Sequence, residues 1–190
     1  MEGIAITFDD GPDPVWTPRL LDRLDRLGVR ATFFLIATRA ERVPAIIERM
    51  RHAGHAVGLH CDQHVRHSQR RRNWVERDTD RALGRLGRLE VRPRLWRTPW
   101  GDTASFTQPV ATDRGLRLVD WTVDTHDWRG DSPEEMLAAT CEDLRPGAVV
   151  LAHDGIGPGA LRADCRHTIE YVTAAADHVH RHGGTFVTLD

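Results

Sequence analysis

The chain reads as an α/β protein built on a parallel sheet, and three observations carry that reading. Short apolar runs alternate with longer amphipathic segments along all 190 residues, the order that parallel strands and their crossover helices produce. The runs are brief and rich in β-branched or aromatic residues, as expected of strands buried on both faces. Polar clusters sit directly after several of them, at the positions that converge on one mouth if the sheet curls into a barrel.

Taken in order, the candidate strands cover residues 4–8, 31–36, 56–59, 94–97, 118–123, 148–152 and 185–189. Between the first two, Thr17 as N-cap and Pro18 at the first helical position open a helix. Its apolar stripe is Leu20, Leu21, Leu24 and Leu27, and Gly28 ends it. Ile46, Ile47, Met50 and Ala53 before Gly54 repeat the plan, as do Ile169, Val172, Ala176 and Val179 before Gly183 and Gly184. Residues 67–77, with Arg70, Arg71 and Arg72, form the most polar stretch and read as a loop entering a helix. Seven strands fall short of the usual eight-unit barrel of about 250 residues. A doubly wound sheet competes, but no glycine-rich phosphate fingerprint follows residues 4–8. The convergence of Asp9-Asp10, His60, Arg97, Asp124 and His153 favours a barrel, in one domain over residues 1–190.

The bulk properties exclude several classes. A composition 40% hydrophobic and 28% charged is ordinary for a globular protein, and a net charge of −2 argues against a general nucleic-acid binder. All 26 basic residues are arginine, so no lysine Schiff base is available. No stretch approaches a membrane span. The first residues lack the basic region, long apolar region and cleavage site of a signal peptide. Cys61, Cys141 and Cys165 are odd in number and widely spaced, which argues against a disulfide framework and for a reduced, cytoplasmic enzyme.

The adjacent carboxylates of Asp9 and Asp10, with His60 and His64 four residues apart, are the strongest chemical signal. One aspartate and two histidines suit a divalent ion and leave coordination positions open for water. The other aspartate is then free to act as a base toward that water, the design of a hydrolase. Asp-Asp-Gly-Pro is also good turn chemistry, although a turn has no need of two like charges at a strand end. His60 stands out among 11 histidines by following an apolar run, whereas His52, His55, His67, His178, His180 and His182 read as solvated or packing residues. Cys61, between the two histidines, should point away from His60. Arg97 offers a fork of donors that can hold a carboxylate. Asp124 and Asp127 precede Trp128, a ring that could stack on a sugar, and His153 ends the most continuous apolar run with a group suited to proton transfer.

Together these clusters resemble the polysaccharide deacetylase family (the NodB-homology domain, carbohydrate esterase family four). Thr7–Pro12, His60–His64, Arg97–Trp100, Asp124–Trp128 and Leu151–His153 match its five motifs in the family's order, and the likeness covers nearly the whole chain. The resemblance implies a distorted (β/α) barrel of seven or eight strands, a divalent metal, usually zinc, and hydrolysis of N-acetyl groups on amino sugars. It implies Asp10, His60 and His64 as metal ligands and Asp9 as catalytic base, oriented by Arg97. It also implies an oxyanion contact from the Trp100 backbone N–H, Asp124 orienting the general acid His153, and Trp128 and Leu151 lining the acetyl pocket. The sequence departs from the family in Cys61, where Ser or Thr is usual, in Trp100, where Tyr or Phe is usual, and in having no preceding secretion segment. The last departure points to soluble substrates such as chito-oligosaccharides, sugar nucleotides or an acetylated small-molecule intermediate. A related amidohydrolase acting on a non-sugar linear or cyclic amide is the alternative. A metal-binding module without catalysis would need only Asp10, His60 and His64. Arg70, Arg71 and Arg72 read either as an anion-seeking rim of the site or as a solvated helix start paired with Glu76, Asp78 and Asp80.

Overall fold

In a computed structural model, which describes residues 2–189, six of the seven apolar runs contribute to seven parallel strands. They are β1 (Ala5–Asp9), β2 (Thr32–Ile36), β3 (Ala56–Cys61), β4 (Leu95–Trp96), β5 (Arg117–Leu118), β6 (Val123–Asp124) and β7 (Val149–His153). The order across the sheet is β5-β4-β3-β2-β1-β7-β6, with β1 in register on β7 from Ala5↔Val149 to Asp9↔His153. The helices are α1 (Trp16–Leu27), α2 (Ala37–Ala40), α3 (Pro44–His52), α4 (Arg72–Arg88), α5 (Thr107–Thr112), α6 (Pro133–Thr140) and α7 (Arg166–Arg181). The result is one α/β domain whose sheet curls into a distorted barrel that does not close, because β5 and β6 at its two edges do not pair.

Period-2 alternation divides the apolar residues between two cores. Ile4, just before β1, and Ile6 and Phe8 within it face the helices, in the larger core with Phe33, Leu20, Leu21, Leu24, Val172 and Val179. The opposite face of the sheet holds a smaller cluster of Ala5, Phe34, Leu95 and Leu189. Thr7 and Asp9 share the face of Ala5, so the alternation that buries Ile6 and Phe8 under helices turns Asp9 into the barrel.

Two expected strands differ from the sequence reading. Residues 118–123, read as one strand, are not one. β5 pairs with β4 and β6 with β7, and the four residues between carry the chain across the open seam from one sheet edge to the other. Residues 185–189 form only an isolated bridge, Ile4↔Phe186. Both edges of β1 are already taken, by β7 from Ala5 and by β2 from Thr7, so Ile4 is the position left to pair. Beyond the bridge Leu189 turns into the smaller core, its N–H donating to Thr32 Oγ1 at 2.9 Å.

The start of α1 also differs from expectation. Its helical residues begin at Trp16, and the capping acceptor is Asp13, whose Oδ1 takes the N–H groups of Val15 and Trp16 at 2.8 Å each. Thr17 serves elsewhere, its hydroxyl accepting from Asp13 N–H and donating to the buried Asp154 carboxyl. Gly28 ends the helix at φ 64, the left-handed conformation that glycine adopts without a Cβ clash. At α6, Ser132 and Glu135 form a reciprocal capping box and Pro133 takes the first turn. Among the described residues no helix is long and apolar enough to cross a membrane.

Candidate metal-dependent active site

The C-terminal ends of β1, β3, β4, β6 and β7 surround a cavity of about 450 Å³ lined by nine of the ten residues to which the family resemblance gives a role. Asp9, Asp10, His60, His64, Trp100, Asp124, Trp128, Leu151 and His153 line it, together with Arg66, Trp121 and the loop after β7. Arg97 lies behind the wall, 1% exposed. Among the described residues, three of the four non-glycine positions with positive φ, Asp10, Trp100 and His126, follow a strand at this mouth. Such conformations cost free energy and persist where the surroundings enforce them, commonly at functional sites.

Asp10, His60 and His64 offer ligand atoms that all lie within 4.8 Å of one another. Asp10 Oδ1 is 3.4 Å from His60 Nε2 and 3.1 Å from His64 Nε2. Tetrahedral ligands at about 2.05 Å from an ion would be about 3.3 Å apart, so the spacing fits. The Asp10 Oδ1 atom is buried without a hydrogen-bond partner, a cost that an ion would remove. His60 donates from Nδ1 to the Arg97 carbonyl at 2.7 Å, which fixes the tautomer and leaves Nε2 as the ligand atom. Burial alone would raise the Asp10 carboxyl, but the imidazoles of His60 and His64 beside it outweigh that effect and hold the group well below the usual carboxylate range. Burial holds His64 low, toward the neutral ring a ligand needs. Cys61 is buried and protonated, its thiol pushed well up by burial, and it stands outside the cluster of ligand atoms.

Asp9 meets Arg97 on the inner face of the barrel. Arg97 Nη1 donates to Asp9 Oδ1 at 3.0 Å and to Thr7 Oγ1 at 2.6 Å, while Nη2 donates to the Asp120 carbonyl at 3.1 Å. The guanidinium stands 4.3 Å over the Phe34 ring. Arg97 thus ties the segment that crosses the open seam to β1 and holds one oxygen of Asp9.

His153 is held by Asp127 and not by Asp124. Its Nδ1 donates to Asp127 Oδ1 at 2.7 Å, and its backbone N–H donates to Oδ2 of the same carboxylate at 2.9 Å. Burial would lower the imidazole pKa, but the Asp127 charge raises it to about 9. Asp127 itself is kept below its usual range, burial being outweighed by His153 and Arg162. Asp124 lies on the cavity wall and accepts the His126 N–H at 2.7 Å, bracing the left-handed corner that aims Asp127 inward. The sequence cluster held both aspartates, and only the positive φ at His126 decides which turns toward β7.

Several other residues escaped the sequence reading. Arg162 bonds the Asp127 carboxylate at 3.0 Å and the His153 carbonyl at 3.0 Å. Arg39 bridges the Asp10 carbonyl, at 2.7 Å, to the Ile156 carbonyl, at 2.8 Å. In a chain with 26 arginines neither had a signal to mark it. Gly157 lies so close to Asp10 that a Cβ there would fall 1.8 Å from Oδ2, so only glycine lets this loop close over the site. Asp154 is buried beneath the turn after β1, its carboxyl raised by burial to about 7. Arg70, Arg71 and Arg72 do not line the cavity: Arg70 stacks on Trp74, and Arg72 pairs with Glu76 and Asp113.

A curled parallel sheet with an aspartate–histidine–histidine cluster that could hold an ion, an oriented carboxylate and a histidine paired with a buried aspartate at its mouth is the arrangement a metal-dependent hydrolase requires. The model of the polysaccharide deacetylase family matches residues 2–119, and the chain belongs to that family. It is therefore a deacetylase, a hydrolase acting on carbon–nitrogen bonds other than peptide bonds. The chain is 33% identical to a peptidoglycan-N-acetylglucosamine deacetylase of Bacillus cereus, over 98% of this chain and 66% of that protein. It is 37% identical to a chitooligosaccharide deacetylase of Sinorhizobium fredii, over 83% of this chain and 74% of that one. The Bc1960 peptidoglycan N-acetylglucosamine deacetylase, solved with an N-hydroxybenzamide, superposes with a TM-score of 0.91 at 30% identity, covering 99% of this chain and 86% of that one. A family 4 carbohydrate esterase from Streptomyces lividans in complex with acetate gives a TM-score of 0.87 at 26% identity, covering 100% of this chain and 98% of that one.

Proposed function

We propose that residues 1–190 form a catalytic domain that removes the N-acetyl group from an amino sugar or short N-acetylated oligosaccharide, with Zn²⁺ as its ion. The observation that carries the reading is the pairing of two oriented proton-transfer groups beside one ligand cluster. Asp9 is held by Arg97, and His153 by Asp127, in the cavity that Asp10, His60 and His64 line. An ion on those three residues would supply Lewis-acid polarisation of the amide carbonyl and a water of lowered pKa. With Oδ1 tied to Arg97, Asp9 keeps Oδ2 to accept the proton of the attacking water. The Trp100 backbone N–H is the donor assigned to the developing oxyanion. His153 holds its Nδ1 proton against Asp127 and delivers the Nε2 proton to the departing amine as the carbon–nitrogen bond breaks. Trp128 and Leu151 form the wall for the acetyl methyl group, and Trp100 and Trp121 supply ring faces on which a sugar can stack.

The substrate class draws on the peptidoglycan and chito-oligosaccharide activities named for the relatives. A cytoplasmic setting draws on Cys61, Cys141 and Cys165, all free thiols. The test is acetate release from a panel of soluble N-acetylated sugars, with Asp9→Asn and His64→Ala as paired variants. Asp9→Asn is expected to keep its metal by elemental analysis and lose at least about 100-fold in turnover, because a carboxamide accepts no proton. His64→Ala is expected to lose metal and activity together. Metal lost from Asp9→Asn but retained in Asp10→Asn would reverse the two roles.

A further inference from the structure

We propose that Asp78, on helix α4 and outside the cavity, is a positioning residue of the metal centre, which fixes the main chain between the two histidine ligands. The inference rests on Asp10, His60 and His64 being ligands.

The two histidines are secured unequally. The His60 ring is locked by its Nδ1 bond to the Arg97 carbonyl. The His64 ring has no such lock: its Nδ1 is buried without a hydrogen-bond partner, and Trp100 meets it only edge-on, at 4.1 Å between centroids. A ligating histidine normally takes its orientation from the bond made by its other nitrogen. Here the orientation of His64 must come from its backbone.

That backbone is held by Asp78. Its Oδ2 accepts the Asp62 N–H at 3.1 Å, and its Oδ1 accepts the Gln63 N–H at 3.2 Å, so one carboxylate ties two consecutive peptide groups inside the His60–His64 segment. Asp78 and Asp62 are 5% and 4% exposed. The Asp62 side chain turns away from the ion site to Arg81 at 3.2 Å and Arg85 at 2.8 Å, and Arg81 also bonds Asp78 at 3.0 Å. The Asp62 carbonyl accepts from Thr38 Oγ1 at 3.2 Å. Helix α4 packs into the core through Val75, Thr79, Ala82 and Leu86, which gives the clamp a rigid base. Two buried carboxylates so close together repel each other, a cost that a loop needing only to be covered would avoid with apolar contacts.

The experiment measures the Zn²⁺ dissociation constant of the full chain by chelator competition, with the thermal midpoint of the metal-free protein and the visible spectrum of the Co²⁺-loaded protein. Asp78→Asn retains one acceptor oxygen and the side-chain shape, and Asp78→Ala retains neither. The expected result is a dissociation constant raised about 10-fold or more in Asp78→Ala and less in Asp78→Asn, with an altered Co²⁺ spectrum. Glu41→Gln is the structural control, because Glu41 pairs with Arg85 and Arg88 in the same ionic lattice but bonds no part of the His60–His64 segment. It is expected to lower the thermal midpoint without changing metal affinity. The proposal is overturned if the Asp78 variants bind Zn²⁺ as the unmodified chain does, or lose no more affinity than a control of equal thermal loss. Should Asp78→Ala not fold, the same comparison is made with Asp78→Asn. A His64→Ala variant that retains its metal would instead overturn the ligand assignment itself.

Discussion

At the scale of single residues, burial and charge act against each other at His153, and the winner sets its chemistry. Burial favours the neutral ring, yet Asp127 at 2.7 Å raises its pKa to about 9, so the group carries its proton at neutral pH. A general acid for amine departure needs that state. The folded pKa lies above the unfolded value near 6.5, so His153 contributes stability that is complete below pH 6.5 and lost as pH rises through about 9. In Asp127→Asn the opposing charge is gone and desolvation prevails. The alkaline limb of the pH–rate profile is expected to move down by more than about one unit, an opposite charge being worth one to three units. An unmoved limb would mean that another group supplies the proton. The residue scale also marks where sequence reading ran out. Asp9, His60 and Arg97 were legible because each directly follows an apolar run, and Asp10 and His64 by their spacing from Asp9 and His60. Asp127 lies three residues beyond Asp124 and reaches His153 only through the left-handed corner at His126, a backbone property that the residue types do not announce.

At the scale of elements, the legible strands were those with neighbours on both sides. β1, β2 and β7 are deeply buried, and the uninterrupted apolar runs that mark them are the direct image of that burial. Residues 118–123 and 185–189 are also rich in apolar and β-branched residues, but the positions open to them are set by which sheet edges remain unpaired, a global property. Helix α1 shows the reverse. Its stripe of Leu20, Leu21 and Leu24 is buried as the spacing requires, whereas its first turn is capped by a residue three positions before the helix. Leu24→Ala would remove a fully buried side chain from the face of α1 that packs toward α7, leaving a cavity in the larger core. The expected loss is about 2–5 kcal/mol by denaturant titration. A loss below about 1 kcal/mol would mean that α1 can collapse into the space. Leu24 lies outside the cavity, so acetate release per folded molecule should be unchanged.

For the whole molecule, the distribution of buried titratable groups sets how stability varies with pH. His55 and His67 are both buried in neutral form, with pKa values lowered by desolvation to about 4. His55 Nδ1 accepts the Ala31 N–H at 3.1 Å, a bond that a protonated nitrogen cannot make. Both groups are lowered relative to the unfolded chain, so the stability they contribute is present above pH 6.5 and lost as pH falls toward 4. Asp154 works the other way. Its carboxyl, raised to about 7, binds a proton in the folded chain that the unfolded chain releases, and offsets one of the two histidines over the same window. On the alkaline side His153 reverses the slope. The metal-free protein is therefore expected to be most stable near about pH 6.5, with stability falling in both directions. His55→Asn isolates one contribution, because the asparagine oxygen can still accept from Ala31 N–H but does not titrate. Between pH 6 and 4.5 its unfolding free energy should depend on pH less steeply than that of the unmodified chain, by up to about 1.4 kcal/mol per pH unit, the slope of one proton. Denaturant titrations at a series of pH values measure that difference directly. Equal slopes would show that His55 is protonated in the folded protein and that the strand junction at Ala31 is held by other contacts.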